Sequence, residues 1–167
     1  LKYETLDKRY FPTKGLKTNI SYTIYTNLHT NTAYSSLAAQ VTKIFPITLN
    51  TFIIPTIYGR FIFNDGIPFM YSNVIGGEGY NPHYEQQIPF SGLTHTESTL
   101  KLLGNAQIQV RHKFHEKQYL TLSGNYAIHQ NQFSNFLQGK KIYGTSIGYG
   151  YDSPLGPIEG FICYSNR

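Results

Sequence analysis

A strict two-residue alternation from Tyr143 to Tyr151 constrains the fold of this chain more than any other feature. Aromatic, isoleucine or threonine side chains occupy every second position, and only glycine or serine stands between them. Because side chains on a strand point alternately to opposite faces, the pattern predicts a strand with one bulky face and one nearly bare face. Such a strand is typical of a membrane barrel wall, with large groups toward lipid and small ones toward a crowded interior. The bulky positions are Tyr143, Thr145, Ile147, Tyr149 and Tyr151, and the bare ones are Gly144, Ser146, Gly148 and Gly150.

The composition also favours a barrel wall. Charged residues make up only 14% of the chain and aromatic residues 16%, with 15 tyrosines, a residue suited to membrane interfaces. Apolar runs fall far short of the roughly 20 residues that a membrane helix needs. The net charge of +5 is not clustered as a nucleic-acid site requires, and the single Cys163 cannot form an intrachain disulfide. Since the chain begins at Leu1 without a signal peptide, we expect it to be part of a longer precursor.

The hydrophobic pattern predicts one all-β domain over residues 1–167, with about eight antiparallel strands and no persuasive helical segment. Most of these strands run about 9 to 13 residues, longer than in soluble proteins and close to the length of a tilted membrane strand. The predicted strands are Lys2–Asp7, Leu16–Leu28, Tyr34–Phe45, Thr51–Phe63, Asn105–His115, Gln118–His129, Lys141–Tyr151 and Ile158–Ser165.

The predicted connections alternate between turn-like and mostly longer polar segments. Outer-membrane barrels have short periplasmic turns and longer outer loops, so the two sets are predicted to lie on opposite sides of the membrane. The last predicted strand has no returning partner, and an open sheet edge is very costly in lipid. We therefore expect an incomplete antiparallel outer-membrane barrel, with membrane lipid and further strands of its own barrel as partners. The turn-like set is Asp7–Gly15, Phe45–Asn50, Phe114–Gln118 and Asp152–Pro157; the longer set is Leu28–Tyr34, Asn64–Gly104 and His129–Lys140.

A soluble β-barrel or sandwich that binds a ligand is the alternative from another class, because it also alternates with period 2. Two features disfavour it. The segment Thr51–Phe63 is apolar on both faces with only Arg60 charged, and a connection of about 40 residues is unusual in a compact domain.

Two motifs that resemble catalytic or metal sites do not fit their sequence context. Residues 144–148 match Gly-x-Ser-x-Gly, but that motif needs a strand-to-helix turn, and here the strand pattern continues through Ser146. His112 and His115 would share a face only on a helix. We therefore predict no catalytic residue, metal site or cofactor in this chain.

Three ordered segments resemble the outer-membrane translocator superfamily of bacterial surface antigens, which includes BamA. The first is Tyr3-Glu4-Thr5-Leu6-Asp7 followed by Tyr10-Phe11-Pro12-Thr13-Lys14-Gly15, similar to the family's turn with a Phe-Pro-Thr-x-Gly pattern. The second is the double glycine Gly76-Gly77, and the third is the turn Ser153-Pro154-Leu155-Gly156-Pro157. The periplasmic turn residues that the resemblance identifies are Asp7, Phe11, Pro12, Gly15, Ser153, Pro154, Gly156 and Pro157.

The resemblance implies a barrel of about sixteen strands, of which this chain would supply the C-terminal half except the final strand. The branch it matches best is the barrel of patatin-like lipases in Bacteroides-type bacteria, which would make this chain a non-enzymatic segment that anchors or exports an upstream lipase. The alternative within the superfamily is an assembly or secretion pore like BamA, with periplasmic domains upstream.

The family's sixth extracellular loop folds into the lumen, where its arginine pairs with an acidic wall residue. In this chain the double glycine is followed by Glu78 and no arginine, while Arg111 and Lys113 share a polar face of the next predicted strand. Because a buried charge needs a partner of opposite sign, we expect a charge-swapped clamp. The alternative is that these groups are ordinary solvated lumen charges. The predicted plug residues are Gly76, Gly77, Glu78, Gly79, Tyr80 and Glu85, with Arg111 and Lys113 as wall partners.

Overall fold

A computed structural model describes residues 1–27, 32–64, 67–68, 71–77, 87–93 and 97–167. Within these residues the chain forms eleven strands and a short 3-10 helix. The strands are β1 Lys2–Glu4, β2 Gly15–Asn27, β3 Thr32–Pro46, β4 Thr51–Ile62, β5 Val74–Ile75, β6 Gln87–Ile88, β7 Glu97–Ser98, β8 Leu102–His115, β9 Gln118–Gln130, β10 Lys140–Ser153 and β11 Gly156–Ser165; the 3-10 helix is Phe133–Gln138.

Eight strands form one antiparallel sheet in the order β1-β2-β3-β4-β8-β9-β10-β11. Each pair of neighbouring strands in this sheet forms a hairpin, except β4 and β8, which are joined by the long connection. Apart from β1, these strands have 10 to 15 residues. The prediction of an all-β antiparallel barrel wall of about eight strands is therefore confirmed.

The largest differences from the prediction lie in β1, in the long connection up to β8 and in the β9–β10 connection. Regular pairing of β1 ends at Glu4 rather than Asp7, and the Asp7 carboxylate accepts hydrogen bonds from the Thr13 and Lys14 amides of the turn. The long connection contains β5, β6 and β7 as a separate small sheet, and β8 begins at Leu102 rather than Asn105. The β9–β10 connection contains the 3-10 helix, which no hydrophobic periodicity had indicated. No helix among the described residues is long and apolar enough to cross a membrane.

The two faces of the sheet differ as the alternation predicts. On β10, Tyr143 and Tyr149 are exposed, while Gly144, Ser146 and Gly148 between them are buried. Large apolar side chains cover the outer face, so this face is suited to lipid. They include Ile20, Tyr22, Ile24, Leu37, Val41, Phe45, Ile57, Ile108, Val110, Phe114, Leu120, Leu122, Tyr126, Tyr143, Ile147, Tyr149, Ile162 and Tyr164.

The inner face is filled by two groups of residues that enter from opposite ends of the sheet. From the end with the longer connections comes the inner loop, which we define as residues 71–77, 87–93 and 97–101 of the β4–β8 connection. Its apolar side chains pack on the wall residues Leu103, Ala127 and Ile142. From the end with the short turns, Leu6 packs on Ile44, Phe52 and Ile54. The loop members of the first cluster are Ile75, Ile88, Phe90 and Leu93.

Candidate functional site: the loop-filled lumen

The bare face of β10 gives other parts of the chain room to pack. A Cβ atom on Gly144 would overlap the carbonyl of Ser91 in the inner loop, and one on Gly148 would overlap the Phe161 ring of β11. A Cβ on Gly150 would lie 2.7 Å from the Phe11 ring, which comes from the β1–β2 turn. The small residues are therefore needed because three separate segments approach this strand closely.

Arg60 of β4 is the main polar attachment of the inner loop to the wall. Its guanidinium is almost fully buried, with 5% of the residue exposed. Nη1 donates to the Ser72 carbonyl at 3.1 Å and to Asn73 Oδ1 at 3.3 Å. Nη2 donates to Ser36 Oγ at 3.2 Å and to the Tyr71 carbonyl at 3.3 Å. One planar cation thus binds three consecutive loop residues and the neighbouring strand β3.

Asn73 extends this attachment to the other end of the loop. The side chain is fully buried, and its Nδ2 donates to the Leu100 and Lys101 carbonyls at 2.8 and 2.9 Å. The Leu100 amide donates to His129 Nδ1 on β9 at 3.2 Å. Arg60, Asn73 and His129 therefore fix both the entry and the exit of the inner loop against the wall.

A buried serine cluster forms the second contact between loop and wall. Ser91 Oγ donates to Ser146 Oγ at 3.2 Å and lies 3.4 Å from Ser123 Oγ, while Asn125 Nδ2 donates to Ser91 Oγ at 2.6 Å. Ser146 also hydrogen-bonds Ser123 directly. Ser146 lies in the middle of β10 and its hydroxyl contacts other serines, so the Gly-x-Ser-x-Gly match is an uninterrupted strand rather than a nucleophile turn.

The double glycine has a left-handed backbone conformation in the inner loop. Gly76 and Gly77 have φ of 130° and 71°, a region that favours glycine. The Gly76 amide donates to the Ile88 carbonyl at 3.0 Å and the Phe90 amide to the Gly77 carbonyl at 2.9 Å. These bonds hold the two halves of the loop side by side inside the sheet. The other predicted plug residues Glu78, Gly79, Tyr80 and Glu85 lie outside the described residues.

The predicted wall partners Arg111 and Lys113 lie nearer the short-turn end than Arg60 does. The Arg111 guanidinium lies 5.4 Å from the centre of the Phe11 ring, and the residue is 7% exposed. Its Nε and Nη1 atoms have no hydrogen-bond partner within the described part of the chain. Lys113 is half-buried, and its amide donates to the Asn50 carbonyl at 2.7 Å. The clamp between these residues and Glu78 or Glu85 therefore stays a prediction.

The inner loop also contacts the edge strand β11. Ser165 Oγ donates to the Gly92 carbonyl at 2.8 Å, and Arg167 pairs with Glu97 at 3.0 Å. Gly92 has φ of 81°, and a Cβ there would overlap the backbone of Tyr164. The loop thus spans the inner face from β3 and β4 to the far edge of the sheet.

The β1–β2 turn inserts Phe11 under the inner face. Phe11 is fully buried at φ of 44° and stacks on Tyr119, with ring centres 4.3 Å apart and an interplanar angle of 4°. Gly15 has φ of 125°, and a Cβ there would lie 2.9 Å from the Leu6 Cα. Pro12 follows Phe11 within the same turn and is half-buried. The motif residues therefore shape a turn that directs one aromatic ring inward.

The β10–β11 turn is closed by its own side chain. Ser153 Oγ donates to the Gly156 carbonyl at 2.6 Å and accepts from the Leu155 amide at 3.3 Å. Pro154 and Gly156 occupy the positions that proline and glycine favour in such a turn, and Gly156 has φ of 128°. Pro157 pairs with Asp152 at the start of β11. This turn therefore sets the register of the β10–β11 hairpin.

Asp7 provides a pH-dependent bond within the β1–β2 turn. Partial burial raises the pKa of Asp7, but hydrogen bonds from the Thr13 hydroxyl and the Thr13 and Lys14 amides outweigh it, so the pKa lies below 3.8. The stabilisation is therefore present above about pH 3.8 and lost as the pH falls through the lowered pKa. We expect Asp7→Asn to remove this acid-dependent step from the wild-type melting-temperature profile between pH 5 and pH 2. A profile identical in both proteins would contradict the assignment.

We expect Gly144→Ala to weaken docking of the inner loop. The new methyl group overlaps the Ser91 carbonyl, and such overpacking costs about 1–3 kcal/mol. Gly124→Ala is the matched control, because Gly124 lies on β9 and its Cβ would have no neighbour within 4 Å. Denaturant unfolding from lipid vesicles measures both free energies. An equal loss in the two variants would show that β10 is not in close contact with the loop.

Arg60 and the serine cluster were not predicted as site residues. The sequence signal for Arg60 is that it carries the only charge in the apolar segment Thr51–Phe63. A buried charge requires hydrogen-bond acceptors, so such a residue indicates a polar contact. The serines give no comparable signal, because Ser91 is far from Ser123 and Ser146 in sequence. Among the described residues, no group of three or more His, Cys, Asp or Glu side chains could hold a metal ion.

The model of one protein family matches the chain over residues 1–167, and that family is described as the OMP85 superfamily. Comparison with curated protein sequences gave no match. The family match confirms, at the level of the superfamily, the resemblance to outer-membrane translocators that the turn motifs and the double glycine indicated. Because the match covers every residue, the chain belongs to the OMP85 superfamily.

Proposed function

We propose that this chain forms part of the wall, the lumen lining and the loop plug of an outer-membrane translocator barrel. This barrel anchors or exports an attached domain. Membership of the OMP85 superfamily, whose members are outer-membrane proteins, supports the location. The observation that carries the proposal is the Arg60 contact, because a loop bound to the inner face by one buried cation is suited to a regulated lumen. In this proposal the chain has a structural and gating role rather than an enzymatic one.

The exposed outer face supports lipid as the environment. An antiparallel sheet in a soluble protein usually has one polar face, and the outer face here is apolar along most strands. A continuous exposed apolar surface of this kind is typical of membrane contact. This favours the barrel over the soluble ligand-binding alternative.

The attached domain that we propose is a patatin-like lipase encoded upstream. The absence of an arginine after Gly77 distinguishes this loop from that of BamA-like pores and supports this choice. In this proposal the lipase chemistry belongs entirely to the upstream domain. An upstream run of tandem periplasmic modules, with no Gly-x-Ser-x-Gly domain, would instead favour the BamA-like pore.

Heat modifiability of the full-length precursor tests the membrane role. We expect a folded, SDS-resistant species that migrates faster than the boiled protein, since closed membrane barrels resist SDS until heated. A monodisperse protein that needs no detergent and shows no heat shift would overturn the barrel and leave the soluble alternative. Protease shaving of intact cells then distinguishes an exported upstream domain from one that stays in the periplasm.

A further inference from the structure

An apolar groove lies on the outer face of the sheet, at the end with the longer connections. It has a volume of about 650 Å³ and lies between β3, β4, β8 and the 3-10 helix. Its size falls within the range of about 300–1,000 Å³ that small-molecule sites occupy. Arg60 and Leu103, which contact the inner loop, also line the groove, but Gly59, Gly104, Phe61 and Leu102 belong to the outward-facing positions of β4 and β8.

Two paired glycines and four aromatic rings form the groove. Gly59 and Gly104 are direct partners across β4 and β8, and their missing side chains leave a depression in the outer face. A Cβ on Gly104 would lie 2.9 Å from the Phe136 ring, so this ring covers one side of the depression. The outer side of Gly59 stays open, since a Cβ there would meet its nearest atom at 3.9 Å. The aromatic rim consists of Phe61, Phe63, Phe133 and Phe136.

The rim is ordered by contacts between its own rings. Phe61 packs edge-on against Phe133 with ring centres 4.3 Å apart, and against Phe63 at 4.4 Å. The 3-10 helix places Phe133 and Phe136 here although none of its residues is buried. An aromatic rim around an open glycine depression accommodates a flexible apolar chain, whereas a flat barrel surface would contact lipid without selecting a chain position.

A lysine next to the continuation of the groove restricts the chemistry of the occupant. Lys141 pairs with Ile128 across β10 and β9, and Ile128 lines a continuation of the depression together with Gly104 and Phe136. Lys141 is exposed, and the described linings of the depression and its continuation include no acidic side chain. A cation at the end of an apolar groove and its continuation matches a phosphate attached to an acyl chain.

We propose that this groove binds one acyl chain of a phosphorylated lipid of the outer leaflet, with Lys141 next to the phosphate. The leaflet follows from the longer connections, which lie on the outer side of such barrels. This inference rests on the proposed membrane role. A protein segment or a second copy of the chain would bind across the wider apolar face, and its binding would not depend on the depression at Gly59.

Native mass spectrometry of the full-length protein with added lipid A tests the groove. We expect Gly59→Leu to bind about tenfold less lipid A than wild type, because its side chain displaces about two methylene groups from the depression. Gly124→Leu is the matched control, since it also adds Leu to an outward-facing glycine with open space. Equal binding by both variants would overturn the proposal.

The phosphate contact has its own test in the same experiment. We expect Lys141→Gln to weaken binding of phosphorylated lipid A severalfold and to leave dephosphorylated lipid A unaffected. A loss that is equal for both lipids would overturn the Lys141 assignment. Heat modifiability is measured on every variant, because it tests the membrane barrel independently of lipid binding. If the protein shows the heat shift but its Gly59→Leu variant still binds lipid A as wild type does, the groove is rejected and the barrel is not.

Discussion

Replacing Arg60 with alanine is expected to release the inner loop from the wall. The variant loses four hydrogen bonds from a buried guanidinium and leaves Asn73 Oδ1 and two loop carbonyls without their donor. Bonds to a charged donor contribute about 1.5–3 kcal/mol each, and they share one residue, so we expect a total loss of about 2–4 kcal/mol. Denaturant unfolding of the full-length protein from lipid vesicles measures this loss.

A second readout reports the position of the loop directly. In planar bilayers, we expect Arg60→Ala to raise the conductance and its fluctuations, because an undocked loop no longer fills the inner face. Arg60→Lys separates charge from geometry, since lysine keeps the charge but cannot bind acceptors on both sides with a planar fork. We expect the stability and conductance of Arg60→Lys to be closer to those of Arg60→Ala than to those of wild type. Full retention of stability and conductance by both variants would contradict the role of Arg60.

The sheet could be predicted from sequence because each strand obeys a local rule. Alternation along β10 identifies its faces without reference to any other strand, and the same holds for β9 and β8. Even the unusual glycines of β10 indicated a crowded interior correctly. Which groups fill that interior could not be predicted, because Ser91, Phe161 and Phe11 come from three distant segments.

The attachment of the inner loop shows why the site was harder to predict than the fold. The predicted clamp pairs charges of opposite sign, whereas Arg60 donates to backbone carbonyls, to the Ser36 hydroxyl and to the side-chain oxygen of Asn73. Backbone acceptors exist at every residue, so no sequence pattern marks the ones that a cation binds. The lone charge in an apolar strand is a signal that a partner exists, but it does not identify the partner.

Replacing Phe11 with alanine is expected to destabilise the barrel by about 3–5 kcal/mol, the usual loss for a buried phenylalanine. The ring is fully buried between Tyr119, Gly150 and the Arg111 guanidinium, so its removal leaves a cavity and an uncovered cation. Relief of the positive φ does not offset this, because alanine also disfavours that region. Phe11→Leu is expected to lose less, since it keeps apolar volume while losing the stacked ring.

A double-mutant cycle with Gly150 identifies the contact that Phe11 makes. Gly150→Ala places a methyl group 2.7 Å from the Phe11 ring, so it is expected to cost about 1–3 kcal/mol in wild type by overpacking. In the Phe11→Ala background the same methyl group enters the vacated space, and its cost is expected to disappear or reverse. Such coupling is typical of residues that contact each other or share a cavity. Strictly additive losses would show that Phe11 stabilises the β1–β2 turn alone, whereas coupling shows that this turn holds β10 from across the lumen.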